Sequence, residues 1–293
     1  MHNQPHLFIA VNYKSVGDVR RFVSSLKAQR SGNWRLVIKD NSEDESETVA
    51  LQAIVDSCDG VSLFSSNTNA GYFPGAQEVL KSLGWNRYAT VTVCNVDLEL
   101  AKDNFVDLLD GLDSLGPDIM VVAPDIYAVN KNVRQNPFMV KRPTTLSVLR
   151  RRVMFATRST TSASLRLYPF LVGVKKKIGE FSGTGKFASR PVSREIYAPH
   201  GAFMTFRPSY FALGNDFDHP TVLFGEELTV GENVMQSGGR VIFIPDLRVD
   251  HRENSSMGER KSDFVLDAFV ASGKYGMSLY NPFHSRHVAS GAR

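Results

Sequence analysis

Short apolar runs alternate with helix-spaced apolar positions along the first 128 residues. Residues 7–11, LFIAV, form an apolar run too short for a helix, which predicts a buried strand. Val16, Val19, Phe22, Val23 and Leu26 then recur at helical spacing, with Ser15 placed to cap them. Residues 34–38 predict a second strand, ending in Lys39-Asp40-Asn41-Ser42. The acidic run Glu43-Asp44-Glu45 opens a second helix, where negative charge suits the helix dipole. Residues 61–64 predict a third strand, and NTNAGYFPGAQ, residues 67–77, leads into a short helix through Leu83. Residues 88–100, YATVTVCNVDLEL, hold a fourth strand built on Ala89, Val91, Val93 and Cys94. It stops at Asn95-Val96-Asp97. Phe105, Leu108, Leu109, Leu112 and Leu115 predict a further helix, and residues 119–123 a fifth strand.

This alternation predicts an α/β protein: a mostly parallel sheet flanked by helices on both faces. Polar clusters recur at the strand ends: Asn12-Tyr13, Asp40-Asn41-Ser42, Asn67 with Asn69, and Asn95 with Asp97. Each alone reads as a turn or a cap. Four on one sheet edge make a polar cleft, and ligands of open α/β sheets bind beyond the carboxyl ends of the strands. Asp97 has two readings: a strand-ending turn, or a carboxylate that meets a metal or a phosphate. NYKSVGD follows the first strand, so the dinucleotide fingerprint GxGxxG is missing. Gly183-Thr-Gly-Lys186 resembles the end of a phosphate loop, but Glu180 and Phe187 break the pattern.

From residue 141 the rhythm changes. Between positions 141 and 190 stand twelve basic residues and one acid, Glu180, a local charge of +11. The chain's net charge is +4, so the remainder carries −7. Apolar clusters interleave with this basic stretch, which suits amphipathic helices on an anionic membrane surface or a solvated insertion over the site. No nucleic-acid motif accompanies the charge, so nucleic acid is not the expected partner. Residues 196–206 return as a strand, and Pro208 starts a short helix. Phe224-Gly225-Glu226-Glu227-Leu228 opens a helix running to about Gln236. Residues 240–244 form a strand closed by Pro245, 247–251 another short extended piece, and 263–271 a closing helix.

The 293 residues, 42% of them hydrophobic, suffice for one large or two modest domains. The expected division is a first half at 1–130, a basic, partly amphipathic insertion at 131–195, and a second half of the same domain at 196–293. Cys58 and Cys94 provide no disulfide framework, which fits a reducing compartment. No stretch approaches the roughly 18 apolar residues of a membrane span, and the N-terminus lacks a signal-peptide pattern. A cytoplasmic protein, peripheral at most on the inner face of a membrane, is expected.

Several motifs now line up in order: VNYKS, IKDNSEDES, NTNAGYFPGAQ, NVDLEL, HGAFMTFRPSYF, FGEEL and GGRVIFIPDLRVDHRENSS. This ordered set resembles the family 2 glycosyltransferases with the GT-A (nucleotide-diphospho-sugar transferase, Rossmann-like) fold, in particular their rhamnosyltransferase-like branch. The resemblance implies an inverting transfer of a sugar, rhamnose in that branch, from a nucleotide-diphosphate donor to a glycan or lipid-linked acceptor in cell-surface polysaccharide synthesis. It implies that Asp40 contacts the nucleotide base, with Asn12, Tyr13 and Asn41 beside it. Asn69, Gly71, Gly75 and Gln77 would face the donor sugar or diphosphate. Asn95-Val96-Asp97 stands where the family carries DxD, so Asp97 would bind Mg²⁺ or Mn²⁺, with Asn95 beside the donor. His251 would complete the metal or diphosphate site, and Arg252 and Ser255 would reach phosphate oxygens. Glu227 falls on the catalytic-base position, one methylene longer than the usual Asp. Glu226 is its acceptor-binding neighbour, and the two roles are exchangeable. Two other readings compete. A nucleotidyltransferase needs a Gly-rich basic loop after the first strand, which NYKSVGD does not supply. A degenerate GT-A domain serving as a non-catalytic glycan-binding or scaffolding subunit remains open, because Asn95 and Glu227 depart from the pattern.

Overall fold

A computed structural model describes residues 4–66, 68–164, 191–253 and 263–280. Ten strands form one sheet: β1 (His6–Asn12), β2 (Trp34–Asp40), β3 (Val61–Ser65), β4 (Thr90–Asn95), β5 (Leu98–Leu100), β6 (Ile119–Ala128), β7 (Val133–Arg134), β8 (Arg194–Ile196), β9 (Phe203–Phe206) and β10 (Arg240–His251). The helices used below are α1 (Val16–Lys27), α2 (Glu45–Asp56), α3 (Tyr72–Leu83), α4 (Phe105–Asp110), α5 (Thr145–Met154), α6 (Pro208–Ala212), α7 (Glu226–Gln236) and α8 (Asp263–Leu279). The strand order is β3-β2-β1-β4-β9-β6-β10-β5, with β7 beside β6 and β8 beside β10.

β1 lies inside the sheet between β2 and β4, so both its faces are covered and its run from Leu7 to Val11 is apolar. Alternate residues feed two cores. Phe8 and Ala10 pack with α1, α2 and α4 on one face. Leu7 and Ile9 pack with α3, α6 and α7 on the other, where Phe73, Phe206, Phe211 and Phe217 form a ring cluster. Strands β1 to β4 are parallel, and their register aligns the polar ends: Asn12 pairs with Asp40, Asp40 with Ser65, and Val11 with Asn95.

β9 departs from the parallel pattern. It runs antiparallel between β4 and β6. Its first residue, Phe203, therefore lies beside Cys94, and the turn before it arrives at the carboxyl edge of the sheet. The single strand expected over 196–206 is thus two strands, β8 and β9, with different partners. Pro199-His200-Gly201 separates them, and Pro199 has no N–H for a ladder.

The reverse happens at 240–251, expected as two pieces and found as one bent strand. The register shifts between Ile244 and Arg248, at Pro245, and then pairing with β6 resumes. Beyond the bend β10 also takes β5 antiparallel, setting His251 opposite Leu98. The closing helix runs to Leu279 rather than Ala271. Its glycines make room instead of ending it: a Cβ at Gly273 would sit 2.2 Å from the Phe155 ring. At the N-terminus of α1, Ser15 holds the capping position, but its hydroxyl turns back to the Tyr13 carbonyl. Asp44 caps α2 through the N–H groups of Ser46 and Glu47. The expectations for residues 165–190, for Asn67 and for Ser255 fall outside the described residues. No helix among the described residues is long and apolar enough to cross a membrane.

Candidate active site

The loop after β2 is held by a buried carboxylate. Asp40 accepts from Asn12 Nδ2 at 3.2 Å, from Ser42 N–H at 3.0 Å and Ser42 Oγ at 2.6 Å, and from Thr48 Oγ1 at 2.8 Å. Three of these bonds fall on Oδ1 and one, from Thr48, on Oδ2, so Oδ2 keeps an acceptor position. A donor on a base would meet Asp40 at Oδ2, the less occupied oxygen. Asn12 is buried too, and its Oδ1 accepts from Ser15 N–H. Tyr13 differs: its ring is exposed beside this buried cluster. Asn41 donates to the Gly71 carbonyl at 2.8 Å, and its own Oδ1 is buried without a hydrogen-bond partner.

The glycines before α3 serve close packing. Gly71 has φ +92°, and a Cβ there would lie 2.5 Å from the Val222 carbonyl oxygen. The neighbouring N–H of Tyr72 donates to that carbonyl at 3.0 Å. Gly75 faces the side chains of Lys39 and Asn41. At both positions a side chain would meet the protein's own chain. Asn69 folds locally, its Oδ1 accepting from Gly71 N–H. Gln77 is tied to Asp216 and to the Phe217 N–H, which joins α3 to the loop after α6.

Beyond β4, Asp97 meets His251. Asp97 Oδ1 lies 3.2 Å from His251 Nε2, brought there by the β5–β10 pairing. Gln135 sets the state of this histidine. Its Nε2 donates to Glu253 Oε1 at 2.8 Å, so its Oε1 faces His251 Nδ1 at 2.7 Å. An amide oxygen only accepts, so Nδ1 carries a proton and donates it to Gln135. Nε2 faces the Asp97 carboxylate oxygen, where a cation between or beside them would take both as ligands. Adjacent vertices of an octahedron with bonds of about 2.1 Å lie about 3 Å apart, so the pair fits two neighbouring ligands of Mg²⁺ or Mn²⁺. No group of three or more metal-ligating side chains occurs among the described residues, so the remaining positions would fall to phosphate oxygens and water. Asn95 is fixed through its backbone, donating to the Ala202 carbonyl at 2.9 Å. Arg252 donates its N–H to the Asp97 carbonyl, while its guanidinium is engaged by Glu99.

The third component is the start of α7. Phe224 and Gly225 have φ of +70° and +95°, two successive left-handed residues that turn the chain into the helix. Phe224 is held there by stacking on Phe269 of α8, with centroids 4.1 Å apart. Glu226 is buried, 5% exposed, and Glu227 is half-buried. Burial, followed by the charge of Glu227, pushes the Glu226 carboxyl up to about 8. Burial also raises Glu227, but backbone N–H groups oppose the shift, among them that of Gly201, 3.2 Å from Oε1. The pair shares one charge, and Glu227, with three backbone donors against two for Glu226 and with the solvent contact, carries it.

Gly201 and Tyr72 join these parts. A Cβ at Gly201 would sit 2.8 Å from Glu227 Oε1, and the Gly201 carbonyl accepts from the Tyr72 hydroxyl at 2.7 Å. Burial, with nearby Cys94, Glu226, Glu227 and Asp97, holds that hydroxyl well above its usual range. Tyr72 thus stands among the carboxylates from both halves of the chain. His200, whose ring centroid is 6.4 Å from that of His251, is pushed down to about 4 by burial and by that neighbour, so it is neutral at pH 7. Sequence reasoning missed Tyr72, Gly201, His200 and Gln135. The first three lie inside quoted motifs. Gln135 lies in none; it arrives on the β6–β7 hairpin.

A mixed α/β sheet with helices on both faces, an antiparallel strand beside β4 and an acidic strand end is the architecture of the GT-A glycosyltransferases. The sequence matches the family model for glycosyl transferase family 2 over residues 8–171, more than half its length, and the chain belongs to that family. Two of the solved structures that share the fold cover most of this chain. One is "GalNAc-T7 with UDP, GalNAc and Mn2+", at 14% identity and a TM-score of 0.58, over 92% of this chain and 48% of the other. This chain thus spans about half the length of that protein. The second is "Mannosyltransferase PcManGT from Pyrobaculum calidifontis in complex with GDP-Man and Mn2+", at 12% identity and a TM-score of 0.51, over 94% of this chain and 72% of the other. A search of curated protein sequences returns no match.

Proposed function

We propose that this glycosyltransferase moves a sugar from a nucleotide-diphosphate donor to a hydroxyl of a glycan or lipid-linked acceptor, with inversion at the anomeric carbon. The observation that carries this reading is the placement of Glu227. Its carboxylate rests on Gly201 N–H, while the adjacent Ala202 carbonyl is bonded to Asn95 at the end of β4. A base and the strand end that would meet the diphosphate are thereby joined through two adjacent residues, Gly201 and Ala202.

Glu227 takes the proton of the acceptor hydroxyl. That oxygen bonds to the anomeric carbon as the bond from that carbon to the diphosphate oxygen breaks, and the nucleoside diphosphate leaves with the electron pair. Glu226, protonated below about pH 8, donates a hydrogen bond that orients the acceptor. Asp97 and His251 would hold Mg²⁺ or Mn²⁺, which supplies positive charge to the departing diphosphate. The Mn²⁺ and nucleotides named for the two structural relatives support this class of donor. Tyr13 offers an exposed ring to the base, and Asp40 and Asn12 hold the loop beneath it. Rhamnose as the donor sugar and cell-surface polysaccharide as the product rest on the motif resemblance alone.

The test is calorimetric titration with UDP, dTDP and GDP, with and without Mn²⁺, followed by hydrolysis of the matching nucleotide sugars. One nucleotide should bind, more tightly with Mn²⁺. Glu227→Gln should then keep binding and lose roughly 10²–10⁴-fold in turnover. Absence of binding to all three would leave the scaffolding role, and unchanged turnover in the variant would remove Glu227 as the base.

A further inference from the structure

Helix α5 turns its apolar side outward. Leu146, Leu149 and Val153 are spaced three and four residues apart, so they share one face. They are 68%, 56% and 65% exposed. The opposite face is the packed one: Phe155, just past the helix end, fills the space above Gly273 of α8, and Arg151 lies near Tyr280. At 100° per residue, Arg150 and Arg152 border the apolar stripe on either side.

The charge around this stripe is one-sided. Residues 141–164 contain six basic residues and no acid. Two of the six are neutralised from the body of the protein: Arg142 by buried Glu232, with bonds of 2.7 and 2.9 Å, and Arg158 by Asp263 and Asp267. Among the described residues no carboxylate pairs with Arg150 or Arg152. These two pairs also pin the segment at both ends, Arg142 on α7 and Arg158 on α8, so α5 is presented as a fixed surface.

We propose that α5 docks flat on an anionic lipid bilayer, with Leu146, Leu149 and Val153 among the acyl chains and Arg150 and Arg152 on the headgroups. An apolar stripe between two cationic edges matches the layered chemistry of that surface, apolar beneath and anionic above. A nucleic acid would use the arginines and leave the leucines in water. The placement suits an acceptor held at a membrane. α5 packs on α8, and α8 sets Phe269 on Phe224 and Ser272 against Gly225, so the docked face is one helix away from the loop that presents Glu226 and Glu227. Docking does not depend on which sugar is transferred, or on transfer at all.

The experiment is co-sedimentation of the full chain with vesicles of pure phosphatidylcholine, and with vesicles of equal parts phosphatidylcholine and phosphatidylglycerol, at low and high salt. The protein should bind the anionic vesicles only, and binding should weaken with salt. Each arginine near an anionic surface contributes about fivefold to partitioning, so Arg150→Gln with Arg152→Gln should reduce it about 25-fold at low salt. Leu146→Ser, Leu149→Ser and Val153→Ser together should abolish the part that survives high salt. All five positions lie on the exposed surface, and circular dichroism of each variant confirms its fold. Equal binding to both vesicle types, no binding, or variants that bind like the parent would overturn the proposal. So would a dimer in light scattering that the serine variant dissolves, since a second copy would then cover the stripe.

Discussion

Replacing Glu226 by Gln isolates the cost of keeping two carboxylates together. In the folded protein Glu226 titrates at about 8, against 4.5 for an unperturbed glutamate. The cause is burial first and the charge of Glu227 second. Below pH 4.5 the residue is protonated in both folded and unfolded chains and costs nothing. Between 4.5 and about 8 the unfolded chain releases the proton and the folded chain keeps it. The folded state then binds more protons, so stability falls as pH rises. The slope is about 1.36 kcal/mol per pH unit, and the full interval amounts to ~5 kcal/mol, an upper bound because Glu227 shares the titration. Above about 8 the loss levels off. Glutamine keeps the shape and does not titrate. Urea unfolding of the parent and of Glu226→Gln at several pH values from 5 to 8 gives two curves, and their difference cancels the groups that are not coupled to Glu226. The variant should gain on the parent steadily across that range, by a few kcal/mol in total. Parallel curves would show that Glu226 ionises normally, and the assignment of the charge to Glu227 would fall with it.

Three further outcomes follow from the site and its supports. Asp97→Ala should abolish Mn²⁺ binding followed by electron paramagnetic resonance; retained binding would place the metal elsewhere. Gln135→Ala should weaken the same Mn²⁺ affinity roughly 10–100-fold, because the proton on His251 Nδ1 loses its acceptor; an unchanged affinity would leave Gln135 without this role. Gly71→Ala should cost roughly 1–3 kcal/mol from its backbone conformation alone, and more from the contact with Val222, read as a fall of several degrees in the thermal midpoint. An unaltered midpoint would show that the Val222 segment moves aside freely.

The alternation of apolar runs determined the βα half by itself, because a strand buried on both faces and a helix buried on one leave different periods in the chain. The same pattern located Asp40, Asn95, Asp97 and the Glu226–Glu227 pair at element ends, where turn and cap chemistry marks them. It could not decide what those residues touch. Asp40 reads as a free carboxylate at a strand end, yet Asn12, Ser42 and Thr48 already bond to it and hold the loop. Gly71 reads as a position of close backbone approach, and the structure adds that Val222 lies where a side chain would go. Strand direction was equally hidden: residues 203–206 look the same whether they run parallel or antiparallel, and only their pairing with β4 brings Gly201 to Glu227. The bend at Pro245 looks like an end in the sequence and is a passage in the fold. It carries β10 on to set His251 beside Asp97, 154 positions away. Local composition fixes which segments can be strands, helices or turns, since those preferences act over a few residues. The partners of a carboxylate or an imidazole are set by contacts across the whole chain, and so only the tertiary structure decided them.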